Sequence, residues 1–218
     1  MRKLSILVMA VVAAMAVGGC GSRQQPVPFD DGDSADIANA DPTLYGICGV
    51  ATTMNTLQMI SDLGDTLTFD LTEAYDNGKV FGGLQAGDRM VVVPDTSKTV
   101  ALTVVNQSTL LGDWVMPNPL DGSDEVGISI KEGGIAESIN QSTIIYKTWR
   151  LVRGQLELVS TREDGSGEDE VSVYELVKLD ADSLIYKDAE DSYEYGHQHG
   201  QSGYGTGTSH EDDDDYSF

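Results

Sequence analysis

Two cysteines, three histidines and 36 carboxylates are the residues of this chain able to do chemistry, and their placement decides which chemistry. Cys20 follows Arg2 and Lys3, a nearly unbroken apolar run from Leu4 to Val17, and the small residues Gly18 and Gly19. A positive start, an apolar stretch of this length and a small-residue cut describe an export signal over residues 1–19. A membrane span would need about 20 apolar residues, and this run is shorter. His197, His199 and His210 all lie beyond residue 187, so the region from 44 to 187 holds no histidine. That excludes His-based triads and His-ligated catalytic zinc from it. There is no Gly-rich phosphate loop, His-Glu metalloprotease signature or EF-hand spacing.

The remaining clusters are weaker. Thr161–Glu170 gathers acids around two glycines but matches no calcium loop, so a solvated hairpin tip is expected there. His197-x-His199, His210 and the Glu211–Asp215 run offer imidazoles and carboxylates of the kind divalent metals accept. Ordering a polar segment around an ion costs entropy at every residue, so a solubilising tail is expected ahead of metal capture. Tyr193, Tyr195, Tyr204 and Tyr216 in that tail could serve a partner contact. A carboxylate hydrolase would need two convergent acids, one with a raised pKa, and nothing selects a pair. No catalytic residue, cofactor or metal site is expected, and the chain is read as not an enzyme.

The formal charge of −23 is unevenly spread: +2 in the signal, −4 over 21–43, −4 over 44–107, −8 over 108–187 and −9 over 188–218. Such an acidic surface repels phosphate backbones and anionic headgroups, which argues against a nucleic-acid partner. Val17-Gly18-Gly19-Cys20 resembles the lipobox of bacterial lipoproteins, with Gly18 where such boxes more often carry Ala, Ser or Thr. The resemblance implies that Cys20 is the lipidation site, its sulfur carrying a diacylglycerol and its freed amine a third acyl chain. Two or more acyl chains give stable anchoring where one is marginal. It further implies the cell envelope of a Gram-negative-type cell, at the outer membrane, with membrane contact through lipid alone. An acylated Cys20 leaves Cys48 without a partner, so Cys48 is expected to be a small buried residue in a strand.

Residues 20–43 are polar, acidic and broken by Pro26, Pro28 and Pro42, which describes a flexible tether. Residues 188–218 lack apolar periodicity and are expected to be a disordered acidic tail. Between them the sequence reads as strands. Tyr45–Ala51, Thr56–Ser61, Thr66–Leu71, Arg89–Val93 and Thr99–Val105 are short and alternating, with one helical turn around Thr72–Tyr75. Five such strands over 44–107 suit a small OB or SH3-like barrel. Further strand patterns at 127–131, 135–139, 143–152, 155–161, 171–179 and 183–186 are joined by turns at Gly133-Gly134, Arg153-Gly154 and Asp180-Ala181-Asp182. The fold class is therefore all-β, the second part (108–187) an antiparallel meander or barrel. Asn106–Leu110 (NQSTL) is echoed by Asn140–Ile144 (NQSTI), five residues being too few to claim a repeat.

Gly112-Asp113-Trp114 is similar to the Gly-x-Trp of the first lipocalin strand. With Tyr146-Lys147-Thr148-Trp149 and Gly154-Gln155-Leu156-Glu157-Leu158 following, 108–187 resembles the compact lipocalin-like domain of bacterial envelope lipoproteins, preceded by a small β-domain. About 80 residues is short for eight strands, so no large enclosed cavity is expected. Trp114 and Trp149 are read as core residues, since large aromatics dominate small β cores. Asp33-Ser34-Ala35 resembles an Asp-Ser/Thr-apolar tripeptide used for O-glycosylation, and Ser34, in the tether, is the candidate acceptor. The resemblance implies a binding module for a small apolar molecule, a glycan or an envelope protein. A structural or adhesion component acting through protein contacts is the alternative.

Overall fold

The computed structural model describes residues 41–119, 122, 124–141, 143–163 and 167–198. Cys20, Ser34, His199, His210 and the acidic C-terminal run lie outside the described residues, as do the signal and nearly all of the tether.

The N-terminal part forms a mixed sheet. Its strands are β1 (Leu44–Cys48), β2 (Thr56–Ser61), β3 (Thr66–Asp70), β4 (Val80–Phe81), β5 (Arg89–Pro94) and β6 (Ala101–Asn106), in the order β3-β2-β1-β5-β6-β4. The central strands have apolar runs, Met90-Val91-Val92 and Val104-Val105, rather than strict alternation. The reason is burial on both faces. Met90, Val92, Ala101 and Val104 pack with Cys48, Leu57, Met59 and Phe69 on one side, while Val91 and Val105 enter a second cluster on the other. Cys48 is 2% exposed, as its strand position predicts.

The expected small OB- or SH3-like barrel takes the form of this curled mixed sheet, with the short strand β4 added at one edge. Helix α1 (Thr72–Asp76) carries the chain from edge strand β3 across to β4, which pairs parallel with β6 at the opposite edge. A parallel bridge, Asp70 to Val100, ties β3 to the start of β6, so the sheet curls into a partly open barrel with β4 outside the bridge.

Helix α2 (Gln107–Leu110) leads into the second part. Eight antiparallel strands follow: β7 (Gly112–Pro117), β8 (Glu125–Lys131), β9 (Ile135–Ile139), β10 (Ile144–Val152), β11 (Gln155–Arg162), β12 (Asp169–Leu179), β13 (Ser183–Lys187) and β14 (Ser192–His197). They close into a barrel, β14 pairing with β7 through Gly196–Val115 and His197–Trp114. The domain thus has eight strands, and the tail boundary at 188 is also corrected. Tyr193-x-Tyr195-x-His197 has the period of two that puts alternate residues inside a barrel, and without these residues the β7 and β13 edges would be open.

Bulges between Tyr146 and Thr148 and between Leu176 and Lys178 keep Trp149, Leu151 and Leu179 pointing inward after a register change. Gly127 opposes Val115 where a Cβ would lie 1.9 Å from the Trp114 carbonyl oxygen, so only glycine allows β7 and β8 to approach so closely.

Candidate functional site

The barrel has two unlike ends. One end holds the 3-10 turn at Glu132–Gly134 and the hairpin turns at 153–154 and 180–182, and it rests on the N-terminal sheet. Trp114 fills it with no exposed surface, its indole Nε1 donating to the Leu110 carbonyl at 2.9 Å. Trp149 donates likewise to the Lys131 carbonyl at 2.8 Å. Both tryptophans are core residues, as expected. Phe81, Val91, Val105 and Leu110 join the barrel residues Ile128, Leu151, Leu156 and Leu179 in one cluster.

Polar contacts complete the seam. The Tyr45 hydroxyl donates to the Leu151 carbonyl at 2.6 Å, the Gly82 amide to the Leu179 carbonyl at 2.9 Å, and the Arg153 amide to Thr43 Oγ1 at 2.9 Å. Lys79 pairs with Glu175 at 2.6 Å.

The other end carries the connections 118–124, 140–143, 163–168 and 188–191, and a cavity of about 460 Å³ opens there. Met116 on β7, Val126 on β8, Ile144 and Tyr146 on β10, and Tyr193 and Tyr195 on β14 form its walls, with Asn118, Asn140 and Gln141 at the rim. Each wall residue is in place because strand alternation points it inward. The rim amides are oriented by the backbone: Asn140 Nδ2 donates to the Glu125 carbonyl at 3.0 Å and Gln141 Nε2 to the Gly127 carbonyl at 2.9 Å. A volume of this size falls within the range of small-molecule pockets, and its mixture of apolar walls with few polar groups matches their usual lining.

Beneath the cavity lies a layer of tyrosines. Tyr186 stacks on Tyr195 with ring centroids 5.5 Å apart and hydroxyls 3.2 Å apart, and Tyr174 and Tyr193 meet edge to face at 5.7 Å. Burial pushes the Tyr146 phenol up, with Tyr195 and Tyr174 adding to the effect. Burial likewise holds Tyr186 well above the ordinary phenol value, raises Tyr195, and pushes Tyr193 up to about 12. These phenols are neutral at any physiological pH. They offer hydroxyls to a ligand's oxygen or nitrogen and ring faces for stacking.

Tyr193 and Tyr195, expected in a disordered tail, lie instead in barrel strand β14, Tyr195 being 4% exposed. His197 moves with them: its ring meets Trp114 edge-on at 4.7 Å and covers Gly112, so β14 brings one histidine into the fold. Met116, Val126 and Ile144 were not distinguished from ordinary core positions; only the spacing of Tyr193 and Tyr195 signalled the site.

The flanks of the acidic Thr161–Glu170 stretch pair as β11 and β12, with Arg162 held by Glu170 at 2.9 Å. Among the described residues no group of three or more His, Cys, Asp or Glu is arranged to hold a metal. No helix among them is long and apolar enough to cross a membrane. Asn106, in the first Asn-Gln-Ser triplet, is 1% exposed. Its side chain caps α2 by accepting from the Thr109 amide at 3.1 Å and donates to Asp88 Oδ2 at 2.6 Å, so it is spoken for by the fold.

Residues 106–198 match the family described as lipocalin-like, so the second part of the chain is a lipocalin-like domain, a fold that suggests a binding module. A crystal structure of a lipocalin-like protein from Bacteroides thetaiotaomicron VPI-5482 is similar at 28% identity, covering 41% of this chain and 97% of its own, with a TM-score of 0.38. No curated protein matches the chain. The matched span begins at the cap of α2 and ends one residue past β14, so the N-terminal sheet lies outside it.

Proposed function

We propose that this protein is a lipid-anchored lipoprotein of the bacterial cell envelope, held at the outer membrane through Cys20, whose lipocalin-like barrel binds a small, largely apolar molecule without chemically changing it. The observation that carries the binding reading is the cavity at the free end of the barrel, walled by Met116, Val126, Ile144, Tyr146, Tyr193 and Tyr195. The opposite end is occupied by packed side chains and cannot admit a ligand. The anchoring reading rests on the segment preceding Cys20.

A second reading, a structural component acting through protein contacts, is favoured by one feature. Ile145, Val171, Val173 and Val177 are about half exposed on the outer wall formed by β10 and β12. Exposed apolar area of this kind marks contact surfaces when it is contiguous.

Native mass spectrometry of the Cys20→Ser protein, recovered from its own envelope extract, separates the two. A retained small molecule, absent from a Met116→Trp variant that fills the cavity, supports the binder. A bare mass together with a co-purified protein overturns it. For the anchor, the wild-type N-terminal peptide should start at Cys20 and carry diacylglyceryl mass, and Cys20→Ala should leave the membrane fraction. An unmodified Cys20 in that peptide overturns the lipoprotein assignment.

A further inference from the structure

The cavity's surroundings narrow the chemical class of its ligand. Among the described residues of the connections at its mouth, within 118–124, 140–143, 163–168 and 188–191, there is no Lys, Arg or His. Their described residues include the carboxylates Asp124, Glu163, Glu168, Asp188, Glu190 and Asp191. The cations nearest this rim are each held by an acid: Lys147 by Asp169 and Lys187 by Glu175 at 3.6 Å on the outer wall, and Arg162, which faces inward across from Ile144, by Glu170 at 2.9 Å. Among the described residues the cavity lining carries no ionised group, only apolar side chains, amides, the Thr143 hydroxyl and tyrosine rings.

Two physical consequences follow from this arrangement. A carboxylate or sulfonate entering the cavity would approach through a ring of like charge and find only Arg162, already held by Glu170, and burying an unpaired anion is costly. A positively charged group is drawn to the same rim by the focused field. It can then lie against the faces of Tyr146 and Tyr193, where cation–π attraction strengthens as water is excluded.

We infer that the barrel mouth selects a ring-bearing amphiphile carrying positive charge and rejects anionic amphiphiles such as free fatty acids. This rests on the binding reading above and specifies its ligand.

Three probes that share a fluorophore and differ in charge test it on the full Cys20→Ser protein: dansylcadaverine (cationic tail), dansylamide (neutral) and dansylglycine (carboxylate). At about 20 mM salt, the Kd for dansylcadaverine should be about tenfold or more below that for dansylglycine. The gap should close to within about twofold near 1 M salt, where the Debye length is only about 3 Å. Met116→Trp should abolish dansylcadaverine binding. The triple variant Glu163→Gln/Glu190→Gln/Asp191→Asn should cut the cation preference about threefold, since it removes part of the field without touching the walls. The same kind of charge removal on the N-terminal part, Glu73→Gln/Asp76→Asn, should leave the preference unchanged.

Dansylglycine binding as tightly as dansylcadaverine at low salt would overturn the charge inference while leaving the cavity a binding site. So would dansylcadaverine binding unaffected by Met116→Trp, because the cation would then be held by the acidic surface at large. Failure of all three probes to bind would overturn the binding reading and this inference with it.

Discussion

The two ends of the barrel are built from the same strands and yet do opposite things. At the end resting on the N-terminal sheet, every inward position is filled: Trp114, Ile130, Leu151, Leu156 and Leu179 pack with Phe81, Val91 and Val105. At the free end, the inward positions are three tyrosines with Met116, Val126 and Ile144 around open space, bounded by acidic connections. An eight-stranded barrel encloses about enough room for its own side chains or for one small ligand. What goes inside is therefore decided by residue choice along each strand. Here branched and indole side chains close the lower layers, and rigid planar phenols leave a gap above them. The lower end is the stability of the molecule, and the upper end is where stability was left incomplete.

Trp114→Ala tests this contrast most severely. Truncating a fully buried tryptophan costs about 3–5 kcal/mol, and the Leu110 carbonyl loses its donor as well. Thermal unfolding followed by circular dichroism should show a fall of about 10 °C or more for a unit of this size. Tyr193→Ala at the mouth should cost about 1 kcal/mol and only a few degrees. Equal losses at the two positions would break the comparison.

Alkali should act chiefly through the upper layer. Tyr146, Tyr186, Tyr193 and Tyr195 all have raised values in the fold, so the folded protein holds those protons more tightly than the unfolded chain. Above the unfolded phenol value of about 10 the unfolded state loses protons first, and stability declines as pH rises. The contribution is complete below about pH 10 and is lost through about 12, where Tyr193 titrates, and beyond for Tyr146 and Tyr186. Denaturant midpoints measured across that range should fall, and Tyr186→Phe should flatten the slope. A midpoint insensitive to pH above 10 would contradict the burial of these phenols.

At the seam, Tyr45→Phe removes a single hydroxyl and leaves the Leu151 carbonyl without its side-chain donor. About 1 kcal/mol, or 2–4 °C, should be lost while unfolding stays one cooperative transition. Two resolved transitions in the wild-type protein would show instead that the sheet and barrel do not share a working core. The smallest effect belongs to the exposed ion pair at the barrel rim. Arg162→Ala removes an exposed ion pair with Glu170, and the melting temperature should move by about 1 °C or less.

Much of the scaffold was legible beforehand. The alternation of Thr66–Asp70, the Gly-x-Trp at 112–114 and the hairpin turn at Arg153-Gly154 each carry a local signal, because pleat, close approach and positive φ constrain residue type directly. Gly154 has φ of +75°, and an added Cβ would meet Thr103 Cγ2 at 2.7 Å, so that one glycine answers both to its own turn and to a strand 50 residues away. Only the first half of that requirement can be read locally. The cavity was less legible still. Met116, Val126 and Ile144 look like any core residue, and whether an inward side chain meets a neighbour or a void depends on what seven other strands bring to the same level.

The paired pentapeptides mark the boundary between the two kinds of information. NQSTL at 106–110 forms α2, with Asn106 buried as its cap. NQSTI at 140–144 turns between β9 and β10 with Asn140 at φ +50° and then enters a strand. Five residues cannot choose between these states, because local preferences amount to tenths of a kcal/mol per residue and burial of the flanking strands outweighs them. The sequence by itself determined the all-β class and the lipocalin-like order of motifs, since each is set by composition or by spacing along the chain. Tertiary structure alone decided that β4 crosses to the far edge of the first sheet and that residues 192–197 leave the acidic tail to close the barrel. It also decided which end of that barrel stayed open, because each of these outcomes depends on partners that are distant in sequence.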